Sequence, residues 1–123
     1  MDRDWNDRQP IFRQIRERVV AMILEGALGE GAALPSVRSV AADLRVNPLT
    51  VLKAYQALAD EGVVETRRGL GMFVSPGAQS RLRAAERARF LAEDWPAVLA
   101  AIKRLGLTIE QLVADAKAPA KRK

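Results

Sequence analysis

Two helix-period apolar stripes stand almost back to back in residues 34–74, LPSVRSVAADLRVNPLTVLKAYQALADEGVVETRRGLGMFV, and few folds can bury both. Val37, Val40, Ala41 and Leu44 form an i, i+3, i+4, i+7 set, and Ser36 precedes it as a natural N-cap. After Leu44 the chain has room only for a tight turn before Asn47-Pro48 reopens a helix, with Asn as cap and Pro where a missing N–H costs nothing. On that next helix Val51, Ala54, Tyr55 and Leu58 share one narrow arc, so Leu49, Thr50, Lys53 and Ala57 are rotated to the far side. Gly62 suits a C′ position, and short strands over 63–67 and 72–74 flank Gly69 and Gly71, with Arg67 and Arg68 at the tip. Two helices crossed by a short turn and followed by a hairpin make a winged helix-turn-helix.

The flanks extend this reading. A first helix from Pro10 carries Ile11, Ile15, Val19, Met22 and Ile23 on one face, with Arg13, Arg16, Glu17 and Arg18 mostly elsewhere, and Gly26, Gly29 and Gly31 end it. After the hairpin, Leu82, Ala85 and Ala88 begin another helix, and Trp95, Val98, Leu99, Ile102 and Leu105 mark an amphipathic continuation. Asp94 could cap a new helix there, or Pro96 could kink a long one. Gly106 stops it, Thr108 to Gln111 has capping-box spacing, and Ile109, Leu112, Val113 and Ala116 give a final helix its apolar face. Helices this small cannot bury so wide a stripe alone, so they are expected to pack on a twin chain through Leu82, Trp95, Val98, Leu99, Ile102, Leu105, Ile109 and Leu112. The alternative is that they fold back on their own winged helix. The expected fold class is therefore mainly α (α+β). A winged helix-turn-helix spans 1–75, a helical dimerisation region 76–116, and a disordered basic tail, KAPAKRK, 117–123.

Composition excludes more than it selects. The 123 residues, 49% hydrophobic and 28% charged, suit one small globular protein. No apolar run approaches the roughly 20 residues needed to span a bilayer, and the polar N-terminus is unlike a secretory signal, so a cytoplasmic chain without a membrane partner is expected. With no Cys and no His, thiolate metal sites and the commonest general base are missing. No catalytic residue, metal or cofactor is expected. The net charge of +5 suggests an anionic partner, but the last seven residues carry +4 and residues 81–90 another +3. Basicity alone does not locate a site.

Placement does. In a helix-turn-helix, the N-terminal turn of the second helix enters the major groove while the first braces the backbone, so Leu49, Thr50 and Lys53 face DNA. Lys53 can pair a phosphate or a guanine edge, Thr50 can bond a phosphate, and Leu49 suits a thymine methyl. Arg38 can reach phosphate or base, and Arg68 with the Gly69 backbone can reach the minor groove or its phosphates. Each has a plainer reading: Lys53 and Arg45 as solvated charges, Thr50 as support for the helix start, Leu49 as a packing staple, Gly69 and Gly71 as hairpin geometry. Their common placement outside the core arcs favours a binding face. The arginines at 81, 83, 87 and 89 read more readily as a solvated helix face than as phosphate contacts.

The blocks Pro10-Ile11-Phe12-Arg13-Gln14-Ile15, Leu34-Pro35-Ser36-Val37-Arg38, Asn47-Pro48-Leu49-Thr50-Val51, Ala54-Tyr55, Leu58, Glu61-Gly62 and Arg67-Arg68-Gly69-Leu70-Gly71-Met72-Phe73-Val74, in this order, resemble the GntR family of bacterial transcription regulators. The resemblance implies a homodimeric winged-helix regulator of double-stranded DNA that binds an inverted repeat. It places DNA contacts on Ser36, Arg38, Asn47, Pro48, Thr50, Lys53, Arg68 and Gly69. Two departures stand out. Arg45 occupies a turn position that is usually Gly, where a left-handed backbone would cost Arg on the order of 1 kcal/mol, an amount a phosphate contact could offset. Phe12 replaces the usual Tyr and lacks its hydroxyl. Only 48 residues follow Ser75, too few for the large metabolite-binding domain common in the family, which implies the short YtrA-type branch. The expectation is a repressor of a palindromic operator, by resemblance one beside a transporter operon, with the effector open. The rival reading is a protein-interaction or non-specific DNA-binding module.

Overall fold

In the computed structural model, residues 4–118 are described, and they divide into two compact units, one running to Ala84 and one from Ala85. The first unit holds α1 (Ile11–Leu24), α2 (Val37–Leu44), α3 (Pro48–Asp60), β1 (Val64–Arg67), β2 (Gly71–Val74) and the start of α4 (Ala78–Arg89). Its core is the meeting of the apolar arcs: Ile15, Val19 and Ile23 of α1, Val40, Ala41 and Leu44 of α2, and Val51, Ala54, Tyr55 and Leu58 of α3. Each fully buried aliphatic side chain contributes about 1.5–3 kcal/mol relative to exposure, so the stripes decide how these helices meet.

Local chemistry sets the ends. The Ser36 hydroxyl accepts the Ser39 N–H at 3.1 Å, and Asn47 Oδ1 accepts the Leu49 N–H at 2.8 Å with Pro48 opening α3. Arg45 closes α2 at φ 56°, ψ 49°, and the Val46 N–H then reaches the Ala41 carbonyl at 3.1 Å. That is a left-handed helix stop of the kind Gly usually supplies. Gly62 makes the equivalent stop for α3 at φ 76°.

β1 and β2 pair antiparallel, Val64 opposite Val74 and Arg67 opposite Gly71. The loop before α2, read from the sequence only as a connection, lies along the other edge of β2. Ala33 bridges Phe73, and the Leu34 N–H donates to the Met72 carbonyl at 2.8 Å. The hairpin is thus tied through the backbone to the segment that starts α2. The residues before α1 are also anchored. The buried Gln14 amide donates to the Asn6 and Gln9 carbonyls, each at 2.9 Å, and its oxygen accepts the Asn6 N–H at 3.0 Å. Trp5 lies under the Arg18 guanidinium, 4.2 Å from carbon to ring centroid.

The first unit continues past residue 75, the expected boundary, because Ala78 and Leu82 of α4 are buried in its core. Leu82, expected at a dimer contact, is therefore a core residue of its own chain. Gln79 donates to the Ile23 and Leu24 carbonyls, and Arg81 donates to the Pro76 and Gly62 carbonyls at 2.9 and 2.7 Å, which fastens α4 to the ends of α1 and α3.

In the second unit a π turn (Phe90–Asp94) leads into α5 (Trp95–Arg104), and α6 (Ile109–Lys117) follows. Of the two readings left open at residues 94–96, the structure has the interrupted helix. Asp94 is helical at φ −78°, ψ −44° with no capping hydrogen bond, and the Trp95 N–H reaches the Phe90 carbonyl, an i to i+5 bond. A proline clashes with the carbonyl four residues before it, and the wider π turn is one way a helix accommodates that. Gly106 stops α5, and Thr108 with Gln111 forms the full capping box at the start of α6. Lys117, expected in the tail, is the last residue of α6, Ala118 follows as its C-cap, and the remaining residues of the expected tail, 119–123, lie outside the described residues.

Arg45 is a direct test of the strain in the interhelix turn. Arg45→Gly is expected to raise the unfolding free energy by about 0.5 kcal/mol, because the left-handed cost exceeds the extra chain entropy of Gly. Chemical denaturation at neutral pH reads this as a higher midpoint at unchanged slope.

Candidate nucleic-acid interface

The outward side of α3 begins at its first turn. Leu49 is 69% exposed, Lys53 is exposed and Thr50 is half-buried beside them, while every residue of the opposite arc is buried. Its exposure is at odds with the reading of Leu49 as a packing staple. Arg38 projects from the first turn of α2 and Arg45 from the turn, both exposed. Ser36 and Asn47 have defined structural work as caps, and Pro48 as the first residue of α3.

At the hairpin tip the Leu70 N–H donates to the Arg67 carbonyl at 2.9 Å, with Gly69 at φ 76° in the third position of the turn, where an L side chain is strained. The two tip arginines differ. Arg67 stacks 4.2 Å above the Phe73 ring and lies 3.5 Å from Glu65 Oε2, whereas Arg68 is exposed on the turn itself. Leu70 is 72% exposed beside Gly69, and an apolar side chain between two glycines carries no periodic signal in the sequence.

Tyr55 links the two helices of the pair. Its ring sits in the core and its hydroxyl donates to the Pro35 carbonyl at 2.7 Å, one residue before the α2 cap. Burial pushes the phenol up to about 12. Between the starts of α1 and α3 lies an open notch of about 380 Å³ lined by Pro10, Ile11, Phe12, Leu49, Thr50 and Lys53. The Lys53 ammonium sits there 4.2 Å from the Phe12 ring centroid, and Arg13 lies 5.6 Å from the same ring.

Several other basic residues are held by partners within the chain. Arg16 binds both carboxylate oxygens of Glu61, with Nε to Oε2 at 2.6 Å, and holds that carboxyl below its ordinary range. Arg81 is spent on backbone carbonyls, and Arg89 pairs with Glu86 at 2.8 Å. Of the residues expected at a dimer contact, Val98, Leu105, Ile109 and Leu112 are exposed apolar side chains, Trp95 and Leu99 are half-buried and Ile102 is buried. Phe90, Leu91, Leu107 and Val113 add to the exposed set. Among the described residues no His, Cys, Asp and Glu group could hold a metal ion, and no helix is long and apolar enough to cross a membrane.

Residues 12–74 match the family model for bacterial regulatory proteins of the gntR family. The chain is 40% identical over 79 residues to the HTH-type transcriptional repressor YtrA of Bacillus subtilis, a match covering 64% of this chain and 61% of that protein. It is 32% identical over 117 residues to the HTH-type transcriptional regulator YhcF of the same organism, over 95% of each. A solved GntR family transcriptional regulator from Listeria monocytogenes superposes with a TM-score of 0.72 at 29% identity, covering 94% of this chain and all of that one. The match to YtrA spans less than two thirds of that protein.

The Tyr55 hydroxyl has a signature in pH. A phenol that keeps its proton more tightly in the folded state stabilises the fold fully below pH 10, and that stability is lost as pH rises from 10 towards 12. Tyr55→Phe should cost about 1 kcal/mol at neutral pH through the unpaired Pro35 carbonyl and should flatten the alkaline loss. Thermal unfolding between pH 7 and 11 compares the two.

Proposed function

The chain belongs to the GntR family of bacterial regulatory proteins, which are DNA-binding transcription regulators rather than enzymes, and from that premise we propose a homodimeric repressor of a palindromic operator. The observation that carries this reading is the first turn of α3. It offers exposed Leu49 and Lys53 with Thr50 between them, backed by a fully buried arc that fixes their direction. Arg38, Arg45 and Asn47 at the preceding helix and turn, with Arg68 and Gly69 on the hairpin, complete a surface able to hold phosphates and read bases.

Pairing rests on the second unit. Val98, Leu105, Ile109, Leu112 and Val113 expose more apolar surface than helices of this size leave to water without a partner. A second copy is the occupant this reading assigns, with Trp95, Leu99 and Ile102 supporting the same face. A two-fold dimer would set two recognition helices about one turn of DNA apart, roughly 34 Å, and so match an inverted repeat. Repression is favoured by the likeness to YtrA, and control of a neighbouring transporter operon follows only from the family resemblance.

Binding to an inverted repeat selected from random duplexes tests the proposal. The full-length protein is expected to prefer it at least a hundredfold over random DNA, and Arg38→Ala or Arg68→Ala should each weaken it about tenfold or more while the fold persists. Leu105→Asp combined with Leu112→Asp should leave a folded monomer by sedimentation that has lost the preference for two half-sites. Equal affinity for random and palindromic DNA would refute the specific reading.

A further inference from the structure

The sequence leaves Lys53 two partners, a phosphate or a guanine edge, and the place of its ammonium separates them. Lys53 Nζ is drawn to the Phe12 ring at 4.2 Å, so the charge sits towards the start of α1, over the notch that Thr50 and Leu49 also line. Phe12 packs against the core, which makes the ring a seat set by the fold. Among the described residues no carboxylate pairs with Lys53. That difference matters: a carboxylate would cancel the charge, whereas an aromatic face attracts an ammonium through its quadrupole and leaves the full charge for a second partner. The notch thus has an apolar floor, the Lys53 ammonium at its edge and the Thr50 side chain beside it. A phosphodiester fits that chemistry, because it accepts from ammonium and hydroxyl at once, and a base edge would need its donors and acceptors matched in a plane.

We propose that Phe12 is a positioning residue that seats Lys53 for a DNA phosphate, with Thr50 as the second contact, and that Leu49 is left to read the base at this end of α3. This rests on the DNA-binding reading above. Lys53 then adds affinity without sequence preference, and Phe12 acts only through Lys53.

Fluorescence anisotropy on the palindrome, on single-base variants and on random duplex, between 50 and 200 mM salt, tests it. Lys53→Met keeps the stem and leaves α1 untouched. It is expected to weaken every duplex by a similar factor and to reduce the slope of log affinity against log salt by about 1. Phe12→Leu should weaken binding about two- to fivefold in the wild-type background and have no effect in the Lys53→Met background, while Phe12→Tyr, which keeps the ring, should restore binding. A Lys53→Met protein that loses preference at one base pair with the salt slope unchanged overturns the proposal, and so does additivity of the Phe12 and Lys53 changes. Wild-type protein without preference for the palindrome overturns the operator reading instead, and the salt slope on random DNA still decides the phosphate contact.

Discussion

A left-handed backbone at Arg45 lets α2 and α3 share one core. Between Leu44 and Asn47 the chain must reverse direction while the buried arc of α2 and that of α3 both stay turned inward. A right-handed residue at position 45 would continue α2 and carry its polar side onto the core. With φ positive there, the Val46 N–H closes back on the Ala41 carbonyl, Val46 turns half inward, and Asn47 is placed to cap the next helix. The direction of Leu49, Thr50 and Lys53 follows from that single turn, because the opposite arc of α3 has no freedom to rotate once Val51, Ala54, Tyr55 and Leu58 are buried.

The hairpin depends on the same packing through a different route. Its strands are short, and a two-stranded ribbon of this length is marginal in water alone. Pairing of the loop before α2 with β2, and burial of Val64 and Val74 in the helical core, supply what the ribbon lacks. The segment that bonds to β2 is also the one whose Pro35 carbonyl receives the Tyr55 hydroxyl. The start of α2, the middle of α3 and the hairpin are therefore held by one short stretch of chain, which ties the ribbon to α3.

What could be read beforehand was local. The arcs of α1 to α3, the caps at Ser36, Asn47 and Thr108, and the stop at Gly62 each follow from residues within a turn or two of one another, and each is present, except that Ile11 at the start of the α1 arc is exposed. The features that could not be read join distant parts of the chain. Gln14 holds residues 6–9, Ala33 meets Phe73, and Leu82 enters a core built mostly from α1 to α3, far upstream; no period signals any of these. The π turn ahead of Pro96 is local, yet the sequence pattern permits either a cap or a kink, and only the helical dihedrals of Asp94 decide it. At the interface the residue types were legible, but the division of labour was not. That Arg67 lies on Phe73 while Arg68 stays exposed on the turn is a fact of geometry.

Partnering also sorts the cations better than counting them does. Arg16, Arg67, Arg81 and Arg89 are engaged by carboxylates, a ring or backbone carbonyls within their own chain, and those of Arg16, Arg67 and Arg81 tie one element to another. Arg38, Arg45, Lys53 and Arg68 have no carboxylate pairing with them among the described residues, and all four are exposed on or beside the helix pair and the hairpin tip. A cation without a counter-charge gains little for the fold from its charge, at most the attraction of a nearby ring as at Lys53. Several such cations on one surface repel each other, a small cost that a run of phosphates would reverse. Lys53 shows how the fold orders a cation without neutralising it: a ring fixes where the ammonium sits and leaves its charge to an anion from outside.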